Sequence, residues 1–292
     1  MKDFRLALVQ HASPVRAKDA NLAATVAAIR KAAKGGADLV CLPELGITGH
    51  AGHPAMVADA EPVPGGPSYE HLASLAANFG LFICAGIAED DRGLHYNTQF
   101  LVGPDGYMGK QRKIHLSADE YFYFRGGTHL PVFDLPFARV GIIICYDNRV
   151  PEVSRCLAVQ GAELLLCPHA ARFGKWPSDA AARRKAVAAR KESWRLTHRC
   201  RASDNGVYVG LCDVAGQSAK GLKGVEANHA GGSMVIDPSG TVVAESRSRD
   251  VRDEVVFADI EAERVARCRC AKCFNLQTRR PEVFRALTEP SA

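Results

Sequence analysis

Gln99-Phe-Leu-Val-Gly-Pro-Asp-Gly-Tyr-Met-Gly-Lys-Gln-Arg112 settles what kind of sheet this chain builds. Gln99–Gly103 and Tyr107–Arg112 read as strands, and Pro104-Asp-Gly106 between them is tight-turn chemistry, so the two runs form an antiparallel β-hairpin. Val132–Leu135 and Arg139–Ile144 make another strand pair. Outward from these, further strands are expected at Phe4–Gln10, Asp38–Pro43, Leu81–Ala88, Leu164–Cys167, Val207–Cys212, Ser233–Ile236, Thr241–Ala244 and Val255–Asp259. Helices are expected at Asn21–Lys34, stopped by Gly35-Gly36, and at Tyr69–Phe79, stopped by Gly80. Pro151–Gln160 carries Pro at its first turn, and Asp179–Ala202 has Ser178 or Asp179 as its cap. Strands and helices mixed throughout predict one α/β domain, and the hairpins exclude a purely parallel, doubly wound sheet. No boundary interrupts residues 1–260. Residues 261–292 form a polar, basic C-terminal tail expected to belong to the same domain.

The bulk properties exclude several classes. The chain has 292 residues, 47% of them hydrophobic, ample for a large core. At 24% charged residues it is not a disordered polymer. Its longest apolar runs are strand-sized, so no membrane span is expected. Met1–Gln10 alternates apolar residues with charge and lacks a signal-peptide cleavage site. Much of the net charge of +5 lies between Arg172 and Arg201, at helical spacing and without aromatic platforms. A solvated helix face accounts for it better than nucleic-acid binding. Ten cysteines, several in apolar runs (Cys41, Cys84, Cys167), point to a reducing cytoplasm rather than a disulfide framework. Cys268, Cys270 and Cys273 lack a nearby fourth ligand, and there is no His-Glu-x-x-His pattern, so no metal is expected. Gly103–Lys110 has the wrong spacing and context for a phosphate loop.

Three ionisable residues sit where apolar runs meet polar turns: Glu44 closes Asp38–Glu44, Lys113 opens into Ile114-His-Leu116, and Cys145 ends Arg139–Cys145. A thiol, a carboxylate and an ammonium are the minimum set for acyl transfer through a thioester. Cys145 stands apart from the apolar cysteines because polar residues follow it and a helix is expected about six residues later, whose N-terminus favours a thiolate. Glu44 reads equally as a partly desolvated base or as an exposed loop glutamate. Lys110, Arg112 and Lys113 read as a solvated hairpin edge or, since strand alternation places Lys113 and Gln111 on one face and Arg112 on the other, as a strand whose Lys113 points inward. Glu120, beside Tyr121-Phe-Tyr-Phe124, is either a second carboxylate in an aromatic-walled pocket or a surface acid beside core rings. A cysteine–histidine dyad using His115 is the rival mechanism, and a redox-sensing scaffold the non-enzymatic one.

Leu42-Pro-Glu44-Leu-Gly-Ile-Thr-Gly49, Lys113-Ile-His-Leu116, Glu120-Tyr-Phe-Tyr-Phe-Arg-Gly-Gly127 and Cys145-Tyr-Asp-Asn-Arg-Val-Pro-Glu152 resemble, in order, the nitrilase superfamily of carbon–nitrogen hydrolases. Ala202–Tyr208, Gly232–Gly240 and Arg279–Phe284 extend the resemblance over nearly the whole chain. It implies a four-layer αββα sandwich with mixed β-sheets. It also implies Cys145 as nucleophile, Glu44 as general base, Lys113 as oxyanion stabiliser and Glu120 as the second glutamate, which positions the substrate or the lysine. It further implies a homodimer or larger homo-oligomer, with the C-terminal tail reaching across the partner. Cys145→Ala or Lys113→Ala is then expected to abolish turnover and leave the fold intact. Arg112, His50 and the stretch Leu211-Cys-Asp213, where an asparagine is more usual, depart from the family pattern.

True nitrilases of this superfamily tend to carry Trp-Glu after the cysteine, whereas Tyr146-Asp147 is closer to the amidase and N-carbamoyl-hydrolase branches. The expected partner is a small-molecule amide or ureide, with no cofactor, nucleic acid or membrane. Tyr146, Asp147, Arg149, His169 and Arg172 are the candidate substrate-binding residues. The arginines suit a substrate carboxylate, or alternatively surface and subunit ion pairs.

Overall fold

The computed structural model describes residues 1–247, 251–271 and 274–289. In chain order the strands and helices are β1 (Phe4–Gln10), α1 (Lys18–Lys34), β2 (Leu39–Cys41), α2 (Pro67–Phe79), β3 (Phe82–Asp91), β4 (Leu94–Gly103), β5 (Gly106–Arg112), β6 (Val132–Asp134), β7 (Arg139–Ile142), α3 (Pro151–Val159), β8 (Leu164–His169), β9 (Arg172–Phe173), α4 (Ala180–Asn205), β10 (Tyr208–Asp213), β11 (Ala215–Gln217), β12 (Asn228–Ala230), β13 (Met234–Ile236), β14 (Val242–Glu245), β15 (Glu254–Ile260) and α5 (Ala262–Arg269).

Two six-stranded sheets run in the orders β15-β1-β2-β3-β4-β5 and β14-β13-β10-β8-β7-β6. They share one plan. Three parallel strands (β1, β2, β3 in one, β7, β8, β10 in the other) carry a single antiparallel strand on one side and an antiparallel pair on the other. The hairpin expected from Pro104-Asp-Gly106 is β4–β5, closed by Gly103 paired with Gly106.

Strand alternation builds the layers. Leu6, Leu8, Leu39, Cys41 and Leu101 point from the first sheet into a core shared with Val140, Ile142, Leu164, Leu166 and Tyr208 of the second. The intervening residues Ala7, Val9, Val40, Ile83 and Phe100 face outward onto Ile29 and Ala32 of α1 and Leu72 and Leu75 of α2. Leu165, Val209, Leu211 and Met234 likewise face Val153 and Leu157 of α3 and Trp194 and Ala202 of α4. Each sheet is therefore covered on both faces, which is why its central strands read as continuous apolar runs. The result is the expected four-layer αββα sandwich with mixed sheets. Burying so many Leu, Ile and Val side chains, at roughly 1.5–3 kcal/mol each, is the main force holding the layers together.

The C-terminal stretch adds to this body. Val265 of α5 is buried in the core between the sheets, and Phe274 is buried against Gly206. A small third sheet, β11-β12-β9, was not legible in the sequence. Its strands are two or three residues long, too short for alternation to show. No described helix is long and apolar enough to cross a membrane.

Candidate active site

The residues singled out at strand ends converge beyond the C-terminal ends of the parallel strands, where open α/β sheets hold their ligands. Glu44 lies just past β2. Its turn passes so close to β3 that a Cβ on Gly86 would sit 2.4 Å from the Pro43 carbonyl oxygen and 2.6 Å from Leu45 N. Only glycine fits there. Lys113 continues β5 by one residue, its N–H bonded to the Asn97 carbonyl at 2.8 Å. The alternation expected of this strand is present. Gln111 and Lys113 are buried, while Arg112 turns the other way to pair with Glu89 and Asp91 and to cover the Tyr96 ring. Cys145 follows Ile142-Ile-Ile144 at a sharp turn with φ +46°, a left-handed conformation costly for a side chain with a Cβ. A short 3-10 turn, Cys145–Arg149, then leads into α3.

These segments assemble a buried ion cluster. Lys113 Nζ donates to Glu44 Oε1 at 2.7 Å and to both Glu120 oxygens at 2.8 Å. All three residues are essentially inaccessible. Asn97 Nδ2 donates to Glu44 Oε1 at 2.8 Å and to Glu120 Oε1 at 3.3 Å. The Ala170 N–H at the end of β8 donates to Glu44 Oε2 at 2.7 Å. Glu120 is pinned from its own side by a capping box, with the Ser117 N–H and hydroxyl each 2.7 Å from Oε2. Glu120 is therefore the buried second carboxylate and not a surface acid. Its aromatic neighbours divide: Tyr121 and Phe122 face solvent and Phe124 is core.

Burial opposes every charge here, and the pairing decides the outcome. Burial alone would pull the Lys113 ammonium down, but Glu44, Cys145 and Glu120 outweigh it and raise its pKa. Burial would lift the Glu120 carboxyl, but Lys113 and His50 hold it well below the usual carboxylate range. The Cys145 thiol goes the other way. Burial and the charge of Glu44 push it well above an ordinary cysteine, against the pull of Lys113. The helix-favoured thiolate expected from sequence is thus outweighed, and a base must take the proton as the sulfur reacts. Glu44, His50 and Glu120 also bring metal-ligating atoms within 4.8 Å of one another. The cation among the two carboxylates is Lys113's own ammonium.

Residues 5–270 match the carbon-nitrogen hydrolase family. The chain belongs to that family. This carbon–nitrogen hydrolase is 33% identical to the omega-amidase NIT2 of Xenopus tropicalis, covering 92% of each chain. It is 33% identical to a nitrilase of Pyrococcus abyssi, covering 88% of this chain and 89% of that one. Its fold superposes with a TM-score of 0.77 on Saccharomyces cerevisiae Nit3, a member of branch 10 of the nitrilase superfamily, at 28% identity over 96% of this chain and 97% of that one.

Around the hydrolase's ion cluster, the expected substrate-binding residues separate. Tyr146 and Arg149 are exposed beside Cys145, and Arg149 has no ion-pair partner among the described residues. Asp147 ties two turns together. It is buried, and it accepts the N–H groups of Ile114 at 3.2 Å and His115 at 2.7 Å while meeting His115 Nδ1 at 2.8 Å. It clamps the lysine loop to the cysteine turn, and the charged groups that act most strongly on the Cys145 thiol are Glu44, Lys113 and Glu120 rather than His115. His169 is also buried, its Nε2 3.2 Å from Asn148 Nδ2 and its ring against Trp194 and His198. Burial pulls its pKa well below the ordinary value, so it is neutral packing rather than a rim cation. Arg172 is committed to both oxygens of Asp119 and so is not an open carboxylate receptor. Cys268 and Cys270 are free thiols, and Cys273 lies outside the described residues.

Sequence reasoning missed Asn97 and the Ala170 N–H. Asn97-Thr-Gln99, three consecutive buried polar residues in a strand, was the available signal for the first. A backbone N–H leaves none.

Asp213 supplies a test of the electrostatics. It is fully buried at the end of β10, accepting the Ala171 N–H at 3.2 Å. Burial, with the Glu44 charge adding, pushes its carboxyl well above the ordinary range. A raised folded pKa contributes stability below the unfolded value of about 3.9, and that contribution is lost as pH rises through the folded value. Asp213→Asn is therefore expected to raise the Tm at neutral pH and to flatten the decline between acid and neutral. A lower Tm than wild type at pH 7 would contradict it.

Proposed function

We propose that this hydrolase cleaves the amide of a small molecule through a thioester on Cys145. Sγ attacks the carbonyl carbon while Glu44 takes the thiol proton. Lys113 meets the negative charge that develops on the carbonyl oxygen, and Glu120 holds Lys113 in place. Glu44 then returns the proton to the nitrogen, the carbon–nitrogen bond breaks and ammonia leaves. Water, deprotonated by Glu44, attacks the thioester, and the acid departs as the thiol is restored. The observation that carries this reading is the single ammonium held between two buried carboxylates within the electrostatic reach of Cys145. Tyr146-Asp147 after the cysteine supports an amide over a nitrile, while the relatives at 33% identity include both an omega-amidase and a nitrilase.

Our finer reading is that the substrate carries a carboxylate, as an N-carbamoyl amino acid or an amide of a dicarboxylic acid does, and that Arg149, exposed and without an ion-pair partner among the described residues, receives it. Ammonia release measured over amides, N-carbamoyl amino acids and nitriles tests both levels. Turnover of amides or N-carbamoyl compounds well above nitriles is expected, and preference for nitriles would overturn the reading. Arg149→Ala should cut the preference for carboxylated over neutral amides by roughly tenfold or more. An unchanged ratio would remove the arginine from the account.

We also place the enzyme in a reducing cytoplasm, where Cys41 and Cys212, 3.5 Å apart between the sheets, stay as thiols. We propose that it is a homodimer or larger homo-oligomer. In support, Val283, Phe284 and Leu287 are exposed along a groove of about 880 Å³ between α3, α4 and the C-terminal segment.

A further inference from the structure

The turn that carries Glu44 also carries a histidine into contact with the other glutamate. His50 is 3% exposed, and its Nε2 lies 3.2 Å from Glu120 Oε1. Glu120, held well below the usual carboxylate range, is an acceptor, so Nε2 bears the proton and donates. The backbone that carries the ring is held in place from behind. The His50 carbonyl accepts the Ser218 hydroxyl, which in turn meets His229 Nε2 at 2.6 Å. The preceding Gly49 has φ +85°, and a Cβ there would come within 2.6 Å of Val15 N and 2.7 Å of Ser13 O. The turn is thus pressed onto the Ser13–Val15 backbone.

The two oxygens of Glu120 are served differently. Oε2 receives the Ser117 N–H, the Ser117 hydroxyl and Lys113. Oε1 receives Lys113 at 2.8 Å, His50 at 3.2 Å and a longer contact at 3.3 Å from Asn97, whose amide lies closer to Glu44. His50 is therefore the donor dedicated to Oε1. We infer that His50 is a positioning residue for the reaction proposed above. Its Nε2–H draws off part of the charge on Oε1, so that the Lys113 proton bonded to that oxygen is released to the reacting carbonyl as negative charge develops there, while Lys113 stays bonded to Glu44 and to Oε2. Without it, Glu120 holds Lys113 harder and the oxyanion loses its partner. Such a loss falls on the transition state and leaves substrate binding alone.

This inference rests on the assigned roles of Cys145 and Lys113, and the experiment separates the two levels. kcat, KM and Tm are measured for His50→Phe, His50→Gln and Cys145→Ala on the best amide of the ammonia-release screen. His50→Phe, which keeps the ring without a donor, should lower kcat roughly ten- to a hundredfold and leave KM within about twofold. His50→Gln, whose amide can still donate, should recover most of the loss. If the Phe variant does not fold, His50→Ala serves as the donor-less arm. Wild-type kcat in the donor-less variant, a change confined to KM, or a folded Gln variant as impaired as the Phe variant would each overturn the inference. Turnover by Cys145→Ala would instead remove the reading beneath it.

Discussion

Cys145→Ala is expected to lose amide turnover by roughly 10⁴-fold or more, because no other group in the cluster is a nucleophile that forms a thioester. The fold should survive. The substitution removes one sulfur from a partly exposed position, keeps a Cβ at the same φ of +46°, and leaves every hydrogen bond between Lys113, Glu44 and Glu120 in place. Unchanged circular dichroism and a Tm close to wild type, together with absent ammonia release, would bear this out. Cys41→Ser is the matched control. Cys41 is buried between the sheets against Cys212, where burial pushes its thiol well above an ordinary cysteine, and it reaches no part of the ion cluster. It should remain active, with a lower Tm from placing a hydroxyl in an apolar core. Turnover that vanished in Cys41→Ser and persisted in Cys145→Ala would exchange the roles of the two cysteines.

Lys113→Met carries the second large effect, on stability as well as on rate. From sequence alone, Lys113 is a loop residue whose loss spares the fold. In the structure it is, among the described residues, the sole ammonium bonded to two buried carboxylates. Removing one partner of a buried ion pair costs about 3–5 kcal/mol, since the remaining charges stay desolvated and here also repel each other. The pH dependence follows from Glu120. Its folded pKa is depressed, so its contribution is fully present above the unfolded value of about 4.3 and is lost as pH falls below that. In the variant the two carboxylates share no cation, and acid relieves them by protonating one. The gap in urea midpoint between wild type and variant should therefore be widest at neutral pH and should narrow below about pH 4. Activity should be absent throughout. Equal midpoints at pH 7 would mean that the ammonium is not what balances Glu44 and Glu120.

Much of this molecule is local chemistry. Alternating and continuous apolar runs marked the strands of both sheets, Pro104-Asp-Gly106 marked the hairpin, and Gly35 and Gly80 closed their helices. These signals are legible because a strand's period and a turn's backbone angles depend on a few neighbouring residues. The strand-end positions of Glu44, Lys113 and Cys145 were visible for the same reason; strand alternation put Lys113 and Arg112 on opposite faces, and only the structure showed which face is inward.

What those residues do to one another was settled only by tertiary structure. Glu44 and Lys113 are 69 residues apart in the chain, and Glu44 and the Ala170 N–H are 126 apart. Whether they meet depends on sheet order and on the packing of one sheet against the other. The same holds for Asn97 bridging two carboxylates, for Asp147 gripping the lysine loop, and for Arg172 closing on Asp119. Residue type and spacing marked which groups were available, while long-range packing determined which charge each would face, and in a buried site the charge it faces sets its protonation and its chemistry.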